Sequence, residues 1–126
     1  MTKRFELNTM TDEGIHIQSF LKAIRRSKDL THWFKHAFNY PVRHYIGDHT
    51  LLHLSVDYPF HKDHCKVICI TPYTTIADVM VEFAKFYSKL YKTPAQSEVW
   101  GHCLADLAFE YLYIKDDGTA RVSVGS

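Results

Sequence analysis

The chain has 126 residues, the length of one domain and enough to bury a core. A composition 46% hydrophobic and 14% aromatic excludes intrinsic disorder. A formal net charge of +1, from 15 Lys plus Arg against 14 Asp plus Glu, excludes a general field that steers toward nucleic acid or an anionic membrane.

Residues 1 to 10, with "KRFEL" inside them, are too short a pattern to decide between an edge strand and a loose arm. From Thr11 the period changes. Ile17, Phe20, Leu21 and Ile24 recur at helical spacing, with Thr11 as cap and Arg25 and Arg26 at the negative end of the dipole. Leu30, Trp33, Phe34 and Ala37 repeat that spacing, so a second helix is expected, stopped by Asn39 and Pro41. Then "PVRHYIGDHTLLHLSVDYP" reads as two strands around a two-residue Gly47-Asp48 turn. "CKVICITP" adds a third strand, ended by Pro72.

Ile76, Val79, Met80, Phe83, Tyr87 and Leu90 mark the clearest helix, opened by a Thr75–Asp78 capping pair and closed by Thr93-Pro94. Residues 97–107 fit either helix or strand. From Ala108 onward strand is expected, with Asp117-Gly118 as a type I′ turn that sets Tyr113 opposite Val122 and Tyr111 opposite Val124. The sum is one α+β domain over residues 1–126: N-terminal helices, an antiparallel β-meander, one long amphipathic helix and a C-terminal β-hairpin.

The chemistry concentrates in "HKDHCKVIC", His61 to Cys69. On a strand, Cys65 and Cys69 share a face but stand about 13 Å apart, too far for one zinc ion that takes sulfur at about 2.3 Å. His61, His64 and Cys65 form a loop trio without the distant second pair of a zinc finger. If strands 50–57 and 65–71 pair with Asp57 opposite Cys65, His53 lies opposite Cys69 and can activate it as a nucleophile. Leu52, Leu54, Val56, Ile68 and Ile70 then make a core face. The opposite face carries His53, Ser55, Asp57, Cys65 and Cys69, and His44 and His49 join it through the Gly47-Asp48 turn. Candidate metal ligands are therefore His44, His49 and His53, with zinc as the ion. Candidate catalytic residues are Cys69 and His53. The competing reading is a plain sheet face whose histidines bond to backbone groups.

His32 and His36 lie four apart on a helix but lack a neighbouring acid, so solvent exposure is expected. "KAIRRSK" is a local basic patch around Arg25, Arg26 and Lys28. "WGHC" at 100–103 suggests a tight bend. Three cysteines, an odd number, make no disulfide framework. "MTKRFELNTM" lacks the apolar run of a signal peptide, and no segment has the length of a membrane span. The expected location is the cytoplasm or another reducing compartment.

"TTIADVMVEFAKFY" and "WGHCLADLAFEYLYIKDDGTARVSVGS" together resemble the C-terminal part of an uncharacterised domain of fungal and large-virus proteins. Asp78, Val79, Phe86 and Tyr87 match its helix, and Phe109, Glu110, Gly125 and Ser126 match its end. His102 and Tyr111 stand where that pattern has Asp and Gly. The resemblance covers less than half of the chain. It implies a closing hairpin after the long helix and brings no activity and no functional residue.

No phosphate loop, nucleophile elbow or dinucleotide fingerprint is present. The residues favour a non-enzymatic module that binds another protein or a second copy of itself. A small metal-binding protein or Cys/His enzyme is the first alternative. Nucleic-acid binding through the basic helix end is the second.

Overall fold

The structure, a computed structural model, describes residues 2–7, 17–26, 36–57, 60, 62–90 and 107–125. Among the described residues, alternation of apolar and polar side chains builds five strands: β1 Thr2–Glu6, β2 Leu51–Val56, β3 His64–Cys69, β4 Ala108–Lys115 and β5 Thr119–Gly125. They form one sheet in the order β1-β4-β5-β2-β3. Neighbours run antiparallel except β5 and β2, which run parallel. Among the described residues three α-helical segments accompany the sheet: α1 Ile17–Arg26, the single turn α2 Arg43–Ile46, and α3 Ile76–Leu90. The fold is α+β, as expected.

One face of the sheet is covered. Leu52, Leu54, Val56, Ile68, Leu112, Ile114, Val122 and Val124 are buried there. The α3 stripe Ile76, Val79, Met80, Phe83 and Tyr87 is buried in the same cluster, as are Ile17, Phe20 and Leu21 of α1. Phe109 stands at the aromatic centre, with ring centroids 5.4 Å from Phe83, 5.7 Å from Tyr87 and 6.5 Å from Phe20. Edge-on ring packing of this kind adds to the burial of the rings themselves.

The α3 start is a reciprocal capping box. The Asp78 N–H donates to Thr75 Oγ1 at 3.1 Å, and the Thr75 N–H donates to Asp78 Oδ2 at 2.9 Å. Aspartate is long enough here in place of glutamate. Thr75→Ala is expected to lower stability by about 1 kcal/mol, read from the shift of a urea unfolding midpoint.

Two elements differ from expectation. Arg43–Ile46 is a helical turn, not the first arm of a hairpin. Its entry is pinned from outside: the Val42 N–H donates to Thr74 O at 2.8 Å, and the Ile76 N–H donates to Tyr40 O at 3.1 Å. Tertiary anchoring overrides a β-like composition over four residues. Gly47 does take a positive φ of 62° as it leaves that turn.

The second difference is the C-terminal hairpin. Its turn has three residues, with Gly118 alone at positive φ (86°) and its N–H donating to Lys115 O at 3.3 Å. That is a type I turn followed by a left-handed glycine, not type I′. The register moves by one residue, so Tyr113 faces Arg121 and Tyr111 faces Ser123. Asp117 braces the turn, accepting from the Thr119 hydroxyl at 2.6 Å and the Thr119 N–H at 3.0 Å. These bonds, the hydroxyl's first, hold the Asp117 carboxyl below its ordinary value. An irregularity between Phe109 and Tyr111 lets Phe109 and Leu112 both face the core despite their odd spacing.

The second expected helix is described in part. Only its end is described, as a 3-10 turn His36–Asn39, and Leu30, Trp33 and Phe34 lie outside the described residues. So do the Thr11 cap, Thr93-Pro94 and residues 97–106. No helix among the described residues is long and apolar enough to cross a membrane.

Candidate functional site

The β2–β3 hairpin carries the residues singled out from the sequence. The two faces are as expected: Leu52, Leu54, Val56 and Ile68 point to the core, and His53, Cys65 and Cys69 are exposed on the other side. The pairing is shifted by two residues. Val67, not Cys69, lies opposite His53; Cys65 lies opposite Ser55, and Cys69 opposite Leu51. A two-residue shift keeps every side chain on its face while changing its neighbour. His53 is thus diagonal to both thiols, at about 7–8 Å, rather than directly across from Cys69. Both cysteines are free and exposed.

The other histidines do not gather on that face. His44 belongs to α2 and packs edge-on to Tyr45 at 5.2 Å. His49 follows the helical turn, and its ring borders Gly118. His64 is on the core side, 4.7 Å from the Phe60 ring, so it and Cys65 point to opposite faces. Among the described residues no three His, Cys, Asp or Glu side chains are grouped to hold a metal ion. His32, His61 and Lys28 lie outside the described residues, as does the "WGHC" segment, and the His36 side chain is not described. Arg25 and Arg26 are exposed at the end of α1.

A polar cluster escaped the sequence reading. Arg121 Nη2 lies 2.9 Å from Asp63 Oδ1 and 3.2 Å from Asp57 Oδ2, and Nη1 donates to Ser55 Oγ at 3.0 Å. The Asp63 hydrogen bond raises the Arg121 pKa further. Arginine can serve three acceptors because its guanidinium presents a planar fork. The cluster ties both ends of the β2–β3 connection to β5. Two aspartates flanking a loop were the available signal, but their basic partner is 58 residues away from Asp63.

The backbone of β3 offers a different kind of site. The Ile70 N–H donates to Thr50 O at 2.8 Å, so residues 50 and 70 are an exchanging pair. Exchanging pairs alternate along an antiparallel ladder, which makes 52–68, 54–66 and 56–64 the bonded pairs. The N–H and C=O groups of Cys65, Val67 and Cys69 therefore point away from β2. β3 is the last strand of the sheet, and among the described residues no strand pairs with that side. Val67 is 45% exposed at the middle of the row.

Beside the row runs an open groove of about 490 Å³, walled by Lys66, Val67, Ile68 and Cys69 of β3 and by Asp78, Val81 and Glu82 of α3. Asp78, Glu82, Lys85 and Lys89 step by four, three and four residues, which places them on one stripe of the helix. All four are exposed. The stripe is acidic in its first half and basic in its second. Glu82 and Lys85 are 3.8 Å apart within it.

No family model, curated protein or solved structure matches this chain.

Proposed function

We propose that this protein is a protein-interaction module that takes an extended segment of its partner as a sixth strand along β3. The observation that carries this reading is the outward row of backbone groups at Cys65, Val67 and Cys69, beside a groove walled by α3. Main-chain hydrogen bonds supply affinity in strand addition, and side-chain pockets beside the edge supply selectivity. Long unprotected edges are aggregation-prone, and natural sheets blunt them with charge or proline. Here the open face of the edge carries Cys65, Val67 and Cys69, and the charged residue inside the strand, the half-buried Lys66, lines the groove.

The test uses extended peptides selected by display against the protein. Binding is expected to slow amide hydrogen exchange at Cys65, Val67 and Cys69. Val67→Pro removes the central outward donor and is expected to weaken binding about tenfold or more, while proline at an edge strand leaves the β2 ladder bonded. Peptides that bind without altering exchange at those three amides would refute the reading.

A further inference from the structure

We infer that the segment β3 accepts is β3 of a second copy, paired antiparallel about a two-fold axis through Val67. The inference rests on the reading of β3 as the binding edge and goes beyond it by naming the occupant. In an antiparallel pair, the residues that exchange hydrogen bonds must both point their backbone groups at the partner strand. Only odd-numbered positions do so on the side of β3 away from β2. Centring the axis on Val67 uses all three: Val67 meets Val67 of the second copy, and Cys65 meets Cys69 of the second copy twice over.

Charge selects a copy of this chain over an unrelated strand. A two-fold axis perpendicular to the sheet puts both α3 helices on the same side and runs them antiparallel. On each copy Asp78 and Glu82 wall the groove beside β3 and Lys85 and Lys89 continue the same stripe, so the antiparallel helices run the acidic half of each toward the basic half of the other. A purely acidic or purely basic partner would match one half and oppose the other. The apolar side chain at the axis, Val67, is also covered by its own copy.

The two thiols report this register directly. Directly opposed exchanging residues have Cα atoms about 5.5 Å apart, inside the range a disulfide spans. Oxidised glutathione supplies the oxidant. One thiolate attacks it and releases one glutathione; the opposed thiolate attacks the mixed disulfide and releases the second. Two protein thiols are oxidised and one glutathione disulfide is reduced.

All arms use the full chain with Cys103→Ser, so that only Cys65 and Cys69 react. Under reducing conditions, sedimentation is expected to show a dimer that dissociates on dilution. Val67→Pro is expected to weaken it about tenfold or more. The pair Lys85→Glu with Lys89→Glu, which leaves β3 intact, is expected to weaken it too, with the loss shrinking at high salt. With oxidised glutathione the parent cross-links. Cys65→Ser alone and Cys69→Ser alone do not, because like positions lie about 13 Å apart across the axis. Mixing the two single variants restores the cross-link.

A protein that stays monomeric throughout overturns the second-copy inference. The module reading then stands or falls separately, on whether extended peptides slow exchange at the three edge amides. A dimer indifferent to Val67→Pro and to the α3 charge reversal, or a cross-link within either single variant alone, also overturns it.

Discussion

Phe83→Ala is expected to lower unfolding free energy by about 3–5 kcal/mol, the largest loss from any single truncation considered for this fold. The Phe83 side chain is fully buried and packs against the rings of Phe109 at 5.4 Å, Tyr87 at 5.8 Å and Phe86 at 6.0 Å. Removing it costs the transfer energy of the ring. It also leaves a void between a helix and a sheet that are each too rigid to collapse into it. Against a typical domain stability of about 5–15 kcal/mol, that is about a fifth or more of the total. Urea titration monitored by circular dichroism measures it, with Lys22→Ala on the exposed side of α1 as a control expected within about 0.5 kcal/mol. A loss below about 1 kcal/mol would mean that the ring does not join α3 to the sheet.

The second large effect is expected at Gly118. Its φ of 86° is strained for any L side chain, and a β carbon there would sit 3.2 Å from the Leu51 carbonyl oxygen and 3.3 Å from the His49 ring. The glycine also serves the seam between β2 and β5, because its carbonyl accepts the His53 N–H at 2.9 Å. Gly118→Val combines left-handed strain in a β-branched residue with a backbone contact that has no room to give. It is expected to cost about 2–3 kcal/mol, with Gly118→Asn intermediate because asparagine tolerates this region better. The measurement is the unfolding midpoint at unchanged denaturant slope. Equal stability of Gly118→Val and the parent would show that the turn does not hold this conformation.

What the residues disclosed in advance was local. The α3 helix was legible because six apolar residues at helical spacing coincide with a reciprocal cap, two independent signals for one element. The two faces of β2 and β3 were legible because alternation survives any even shift of register. The register itself was not, since it depends on how many residues the connection absorbs. Its anchor is the contact of Asp57 and Asp63 with Arg121 on a strand distant in sequence. For the same reason the expected Cys69–His53 opposition gave way to His53 opposite Val67. The hairpin at Asp117-Gly118 was visible as a turn, but its length hinged on whether Asp117 also takes positive φ, and it does not. Arg43–Ile46 reads as strand from its composition, but its helical turn is imposed by tertiary bonds in which the Val42 N–H donates to Thr74 O and the Ile76 N–H donates to Tyr40 O. That β3 is the outermost strand has no local signature at all, so the site proposed for function could be seen only once the strands were in order.

The parallel contact of β2 with β5 has a kinetic consequence. Each of the two hairpins closes a short loop, whereas the Ser55–Arg121 bond across the seam joins residues 66 apart. Loop-closure entropy must be met before such a distant pairing contributes anything, so the β2–β5 seam, like the still more distant pairing of β1 with β4 that sets Phe5 beside Leu112, is expected to form after the hairpins. Substitutions within either hairpin that weaken only local pairing should then chiefly slow refolding. Ser55→Ala, which loosens the seam alone, should chiefly speed unfolding.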